Sequence, residues 1–209
     1  MTPDFTTAEW LNEPARHAVD RTSVSITTDP GTDLWQRTFY GFRNDNAPAL
    51  LLESRENFTF TARARFAYEG RFDQCGLLVY ESADTWFKAS IEYEDREYSR
   101  LGSVVTNAGY SDWATVDIAS RTSIWYRLSR RGPDFLLEQS FDGDEYRQMR
   151  VFHLHSFGET TAEMGRLDPP APAEKPVRFG LYACSPLESS FQANFDGFVL
   201  EPTLWKAHA

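Results

Sequence analysis

The most restrictive feature of this sequence is a strict two-residue alternation of side-chain character, which recurs in several separate segments. In residues 57–68 an apolar row alternates with a polar row. The apolar row is Phe58, Phe60, Ala62, Ala64 and Phe66, and the polar row is Thr59, Thr61, Arg63 and Arg65. Successive side chains of a β-strand point to opposite faces, so this pattern predicts a long, half-buried strand.

The same pattern predicts a β-hairpin over residues 73–93, with a turn at residues 82–84. In its second strand one row is Phe87, Ala89, Ile91 and Tyr93, and the other is Trp86, Lys88, Ser90 and Glu92. We expect the first row to face the core and the second to form an open polar face that carries one large aromatic ring.

Short alternating segments and turn residues continue along the rest of the chain. Strands are expected near residues 23–28, 34–42, 49–53, 103–106, 114–118, 123–130, 135–141, 145–153, 177–184 and 191–201. The segment 156–176 holds four prolines and no alternation, which indicates a loop rather than a domain boundary. We therefore predict one all-β domain over residues 1–209, a two-sheet antiparallel sandwich or jelly roll.

Composition limits the partners of such a domain. Asp and Glu total 31 against 21 Lys and Arg, which gives a net charge of −10. This balance argues against nucleic acid and against an anionic membrane surface, and it is compatible with a neutral small ligand. The N-terminus lacks a basic segment followed by an apolar one, so we expect a cytoplasmic protein. Cys75 and Cys184 are then expected to be free, buried thiols, although one disulfide between them is an alternative.

A family resemblance becomes visible in ordered sequence blocks. They are Trp-Leu-Asn-Glu-Pro at 10–14, Thr-Asp-Leu-Trp at 32–35, Asp-Gln-Cys-Gly-Leu at 73–77, Trp-Phe-Lys at 86–88, Ile-Glu at 91–92, Ser-Val-Val-Thr at 103–106, Ser-Asp-Trp at 111–113, Ser-Phe-Asp-Gly at 140–143 and Tyr-Ala-Cys-Ser-Pro at 182–186. The chain resembles, over residues 10–200, a concanavalin-A-like family of unknown function whose yeast member is named for regulation of enolase. Residues 76–80, 140–143 and 195–198 also resemble the C-terminal β-sandwich domain of some family 43 glycosidases.

Both resemblances imply a lectin/glucanase-type sandwich, and neither brings an established reaction. In that architecture sugars bind in a groove on the concave sheet. An aromatic ring can stack on a sugar while charged groups bind its hydroxyls. Our candidate ligand-binding residues are Trp86, Lys88, Ser90, Glu92, Trp113, Trp125, Arg127, Glu138 and Tyr182. The alternative is a structural salt-bridge network on an exposed sheet face, with Trp113 as a core anchor.

Hydrolysis of a glycan is a second alternative. It needs two carboxyl groups at a set separation, and Glu92 with Glu138 is the pair that the sequence offers. Glucanases of this architecture carry a Glu-x-Asp-x-Glu strand, whereas this chain has only Glu-Tyr-Glu at 92–94. We therefore favour binding over catalysis. A regulatory protein-interaction domain, in the sense of the yeast name, and a homodimer both stay open.

Metal and cofactor signals are weak. His153 and His155 share a strand face without a supporting third ligand, so we expect no metal there. Asp196 is the candidate for a Ca²⁺ site at the rim of the sandwich, and no acidic cluster accompanies it. No cofactor is expected otherwise, because the sequence has no phosphate loop or dinucleotide fingerprint.

Overall fold

Sixteen β-strands make up nearly all of the regular structure in the computed structural model, which describes residues 1–207. The strands are β1 (Glu9–Leu11), β2 (Arg16–Val19), β3 (Ser23–Thr27), β4 (Leu34–Gln36), β5 (Arg43–Asp45), β6 (Ala49–Ser54), β7 (Phe58–Phe66), β8 (Gln74–Ser82), β9 (Thr85–Tyr93), β10 (Tyr98–Asn107), β11 (Tyr110–Ala119), β12 (Ser123–Arg131), β13 (Asp134–Ser140), β14 (Arg147–His153), β15 (Val177–Cys184) and β16 (Gln192–Pro202). The described helices are short 3₁₀ turns at Phe5–Thr7, His155–Phe157 and Met164–Arg166. Within residues 1–207, no helix is long and apolar enough to cross a membrane.

Fourteen of the strands form two antiparallel sheets of seven. Sheet A has the order β1-β6-β15-β8-β9-β10-β11, and sheet B has the order β14-β13-β12-β7-β16-β3-β2. Chain neighbours such as β8 and β9 pair as hairpins, whereas β6 pairs with β15 and β7 with β16 across long stretches of sequence. The predicted two-sheet jelly-roll sandwich is confirmed.

The core lies between the inner faces of the two sheets, where the alternation placed it. Phe58, Phe60, Ala62, Ala64 and Phe66 of β7 and Phe87, Ala89 and Ile91 of β9 all belong to one buried cluster. Ile124, Tyr126 and Leu128 of β12 join it from sheet B. The side chains that alternate with these rows therefore point outward, away from the opposite sheet.

The segment 34–42 departs from the expected strand. It supplies β4, which pairs with β5 as a separate two-stranded ribbon, and the connecting loop 37–42 is open to solvent. Arg37 and Phe39 adopt positive φ angles of 57° and 63°, which an extended strand does not accommodate. The ribbon is tied to the outer face of sheet A: the Gln36 amide donates to Ser111 Oγ over 2.9 Å, and Tyr80 donates to Asp45 over 2.9 Å.

The proline-rich segment 156–176 is a loop, as the composition indicates, and its regular structure is limited to 3₁₀ turns. The buried Arg130 guanidinium donates to the carbonyl of Lys175 over 2.6 Å, and Asn57 donates to the carbonyl of Ala171 over 2.7 Å. These bonds hold the loop beside the β12–β13 turn. There it lines a separate cavity of about 290 Å³ together with Arg131 and Trp205.

Both cysteines are buried free thiols, so the disulfide alternative is wrong. Cys75 lies opposite Ala183 in the β8–β15 ladder, one position away from Cys184. The one-residue offset sends the two side chains to opposite faces of sheet A, with Cys75 in the inner cluster and Cys184 in the outer one. Burial raises the pKa of Cys75 to about 12, which makes its thiol unreactive.

Candidate functional site

The outer face of sheet A carries a pocket of about 500 Å³. Its floor comes from β8, β9 and β10, with Gln74, Lys88, Ser90 and Glu92 as the central polar residues. The sequence predicted an open face here, and this is wrong: Lys88 is 5% exposed and Ser90 6%. The β4–β5 ribbon lies over one side of the face and converts it into a walled pocket.

Gln74 organises the floor. Its Nε2 donates to Glu92 Oε2 over 3.0 Å and to the carbonyl of Phe72 over 3.2 Å. Its Oε1 accepts from the Tyr182 hydroxyl over 3.1 Å and from Ser90 Oγ over 3.4 Å. With four partners the amide has one orientation, and it fixes Glu92 on its own side of the pocket.

Lys88 is paired at the base of the ribbon. Its Nζ lies 3.1 Å from Asp33 Oδ1, and Asp33 Oδ2 accepts from Asn44 over 3.4 Å. Burial disfavours the charged amine, but the nearby Asp33 carboxylate and other negative groups outweigh it and raise the pKa of Lys88. The amine therefore stays charged, and its charge is balanced within the floor.

Glu92 is the unusual acid of the site. Burial raises its pKa to about 7, and the neighbouring Asp33 and Glu94 carboxylates act in the same direction, against the opposing effect of Lys88 and Arg100. Both protonation states are thus populated near neutral pH. Glu92 can accept or donate a hydrogen bond to a ligand, and it can exchange a proton with one.

Aromatic side chains form the walls. Trp35, Tyr40 and Phe42 come from the ribbon and its loop, and Trp113 comes from β11. The Trp35 and Trp113 rings stand nearly perpendicular, with centroids 6.4 Å apart. Trp113 is 37% exposed, so part of its ring is available to a ligand.

Positive φ angles occur at one residue of the pocket lining and in the loop of the ribbon. Phe72, whose ring lines the pocket, has a φ of 71°, and the ribbon loop holds Arg37 and Phe39 in the same region. Such conformations cost roughly 1–3 kcal/mol each in a bulky residue and persist where the surroundings enforce them. Asn12 and Ala108, which do not line the pocket, also have positive φ angles, so this strain is not specific to the site.

Two guanidinium groups complete the rim. Arg71 and Arg100 line the pocket, and both pair with the buried Glu94, Arg100 at 3.0 Å. The Arg100 guanidinium also lies 5.7 Å from the centre of the Trp113 ring. A positive group and a stacking surface are therefore adjacent.

Other predicted site residues of sheet A have different positions. Trp86 is fully buried, and its Nε1 donates to the carbonyl of Ala83 over 3.1 Å, so it is a packing residue of the outer cluster and no platform. Tyr182 is also fully buried and supports Gln74 from beneath. Trp113 lies within strand β11 rather than at a turn, and it faces the pocket.

Trp125, Arg127 and Glu138 do not adjoin this site. They belong to β12 and β13 in sheet B and point outward on the far side of the core. Arg127 binds Glu138 in a two-pronged ion pair, at 2.8 and 2.9 Å. Trp125 packs against Gly197, where an added Cβ would lie 2.5 Å from the indole ring. The prediction that these residues adjoin Lys88 and Glu92 is wrong, because the outward rows of sheets A and B lie on opposite sides of the shared core.

The same placement removes the hydrolytic pair. Glu92 lines the sheet A pocket and Glu138 the outer face of sheet B, so the two carboxyl groups do not share one cleft, as retaining and inverting mechanisms both require. Asp33 is the other carboxylate of the pocket, and it is engaged by Lys88, Asn44 and the Leu34 amide.

Metal-binding candidates are likewise engaged by other groups. Asp196 binds Arg63 at 2.7 Å and Arg65 at 2.8 Å, so guanidinium groups occupy the positions that Ca²⁺ would need. His153 Nδ1 lies 2.8 Å from Asp134. Within residues 1–207, no group of three or more His, Cys, Asp or Glu side chains is arranged to hold a metal ion.

Several residues of the pocket escaped the sequence prediction. From the sequence, Asp33 and Trp35 are equally plausible as groove residues and as packing residues, and no pattern singles out Gln74, Tyr40, Phe42, Arg71 or Arg100 as pocket residues. Arg100 and Gln74 had a usable signal, because both occupy outward positions of strands that pair with β9. The ribbon and loop residues had none, since periodicity does not position a loop.

Similarity to known proteins extends over nearly the whole chain. A yeast protein from Saccharomyces cerevisiae, "Regulation of enolase protein 1", is 30% identical over 199 residues, which are 95% of this chain and 91% of the yeast protein. A solved structure of a functionally unknown S. cerevisiae protein has a TM-score of 0.81 at 28% identity, over 97% of this chain and 100% of that one.

The second resemblance concerns the fold alone. The family 43 glycosidase BlXynB from Bacillus licheniformis matches with a TM-score of 0.60 at 16% identity. The match covers 86% of this chain but only 33% of BlXynB, so it corresponds to one part of that enzyme.

The family model described as "Protein of unknown function (DUF1349)" matches residues 10–203. The chain therefore belongs to the DUF1349 family of β-sandwich proteins.

Proposed function

We propose that the sheet A pocket binds a carbohydrate or a similar small, polyhydroxylated molecule. The observation that carries this proposal is the combination of perpendicular Trp35 and Trp113 rings over a floor of hydrogen-bonding side chains. Sugars present apolar C–H faces and a rim of hydroxyl groups, so they need both kinds of surface at once. The pocket volume of about 500 Å³ suits a molecule of one or two sugar units.

The floor has the chemistry that hydroxyl groups require. Ser90, Glu92 and Lys88 supply both donors and acceptors, and Gln74 holds Glu92 in one position. Because these groups are ordered before a ligand arrives, binding loses little side-chain entropy. We place the role in binding rather than in hydrolysis, because one pocket-lining carboxylate is paired with Lys88 and Glu138 is on the other sheet.

Trp113→Ala tests the stacking wall. We expect a loss of roughly two- to tenfold in affinity, since an aromatic stacking contact contributes about 0.5–1.5 kcal/mol. Isothermal titration calorimetry against a panel of mono- and oligosaccharides, pentoses and hexoses included, measures it. The proposal is wrong if no sugar of the panel binds at millimolar concentration, or if the variant binds as wild type does.

Tyr110→Ala is the matched control. Tyr110 lies on the same strand β11 and is 59% exposed, but it borders a different surface with Asp112 and Arg150. Its removal should leave sugar affinity within about twofold of wild type. Equal losses in both variants would point to a general disturbance of the edge strand.

A further inference from the structure

The lining of the sheet A pocket holds more basic than acidic side chains, although the whole chain carries a net charge of −10. The charged side chains that line it are three cations, Arg71, Lys88 and Arg100, and two acids, Asp33 and Glu92. An excess of basic side chains in the lining is unexpected if the ligand is neutral, because a neutral sugar gains little interaction energy from positive charges.

Pairing the charges shows where the excess lies. Lys88 and Asp33 balance each other at the base of the ribbon. Arg71 and Arg100 both pair with the buried Glu94, and Arg100 Nε also lies 3.9 Å from the exposed Asp117. Arg71 therefore shares its carboxylate partner with a second guanidinium group, and its charge is the least compensated one at the rim.

The arginine pair also has hydrogen-bonding capacity to spare. A guanidinium group carries five N–H donors, and the pairing with Glu94 uses one terminal nitrogen of each side chain. The other terminal nitrogen of Arg100 donates to the Tyr98 hydroxyl over 3.5 Å, so the spare donors are mainly those of Arg71. The Arg71 side chain is 54% exposed, so its other donors are accessible. Planar guanidinium forks match the two or three oxygens of a carboxylate or phosphate.

The two guanidinium groups lie beside aromatic rings of the pocket. The Arg100 guanidinium lies 5.7 Å from the centre of the Trp113 ring, and the Arg71 guanidinium lies 4.5 Å from the Phe72 ring. A ligand that fills the pocket therefore presents its ring to aromatic side chains and one substituent to the two arginines.

We propose that the ligand is an anionic sugar, a polyhydroxylated ring bearing a carboxylate or a phosphate group, and that Arg71 and Arg100 receive that group. This inference rests on the proposed sugar-binding function and narrows its ligand class. The pocket then binds an anionic sugar more tightly than a neutral sugar of the same shape.

Matched ligand pairs test the inference by calorimetry with the full chain. The pairs are glucuronate against glucose, galacturonate against galactose, and glucose 6-phosphate against glucose. We expect at least one anionic member to bind about tenfold or more tighter than its neutral partner, because hydrogen bonds to charged groups contribute more than neutral ones. The carboxylate and phosphate arms identify which anion is preferred. The preference should weaken as salt is raised.

Arg71→Gln should abolish most of that preference while leaving the affinity for the neutral sugar within about threefold. Arg96→Gln is the matched control, since Arg96 is an exposed arginine of the nearby β9–β10 turn that does not line the pocket. If the two substitutions had equal effects, the preference would come only from long-range attraction between the protein and the anion. That result would overturn the assigned arginine site.

The outcomes separate this inference from the function it rests on. Neutral sugars that bind as tightly as their anionic partners, or more tightly, overturn the inference and leave sugar binding intact. Absence of binding by every member of every pair overturns both. Tighter binding of an anionic member that depends on Arg71 and not on Arg96 supports both.

Discussion

Replacing Glu92 by Gln tests whether this carboxyl group is held in an environment that disfavours its charge. Gln has nearly the same shape and is neutral at every pH, so the substitution removes the titration and little else. In the folded protein the pKa of Glu92 is about 7, raised from an ordinary value of 4.5 mainly by burial. The unfolded chain is expected to titrate near the ordinary value.

The sign follows from proton counting. Between pH 4.5 and 7 the folded state binds a proton at Glu92 and the unfolded state does not, so wild-type stability falls as pH rises through this window. Above pH 7 the full penalty is present. A shift of about 2.5 pKa units corresponds to at most about 3.4 kcal/mol. Since Glu92 keeps some exposure to the pocket, we expect about 2–3 kcal/mol.

Urea unfolding of wild type and Glu92→Gln at pH 5, 6, 7 and 8 provides the measurement. The difference in unfolding free energy between the two proteins should shift by about 2–3 kcal/mol in favour of the variant from pH 5 to pH 8. All other titratable groups are common to both proteins, so their contributions cancel in the difference. Parallel curves, with a difference constant to within about 0.5 kcal/mol, would refute the placement of Glu92 in a buried site.

Two further substitutions test the corrected positions of predicted site residues. Trp86→Ala should lower the free energy of unfolding by about 3–5 kcal/mol in urea titrations, because it removes a fully buried side chain. A loss below about 1 kcal/mol would contradict the buried position of Trp86. Glu138→Gln should cost about 1–2 kcal/mol of stability by breaking the two-pronged pair with Arg127. The same variant should leave sugar affinity at the sheet A pocket within about twofold, and a large loss of affinity would show that the two faces are coupled.

The sequence contained enough information for the fold because burial in a sandwich has the period of the strand. Every second residue from Phe58 to Phe66 and from Phe87 to Ile91 faces the core, because successive side chains of a strand point to opposite faces. The same rule gave the polar rows of β9 and β12 correctly as outward rows. It carries no information about which sheet a strand joins, and here β9 and β12 belong to different sheets.

The candidate site was predictable only where it lies on regular strands. Lys88, Ser90 and Glu92 were identified because they share one strand face. Their burial was not, because it depends on the β4–β5 ribbon, whose seat is fixed by tertiary contacts. One such contact joins Gln36 to Ser111, which lie 75 residues apart in the chain. Arg71, in the loop before β8, is missed for the same reason.

The ribbon therefore determines the chemistry of the pocket as well as its shape. On an open sheet face, a row of Lys, Ser and Glu would be solvated, and its charges would be screened. Under the ribbon, Lys88 gains Asp33 as a partner, and Glu92 loses enough water for its pKa to reach about 7. Arg71, which shares the Glu94 carboxylate with Arg100, is then the least compensated charge of the lining. An ordinary polar strand face thus becomes a walled pocket through one short cover, held in place by bonds such as that from Tyr80 to Asp45.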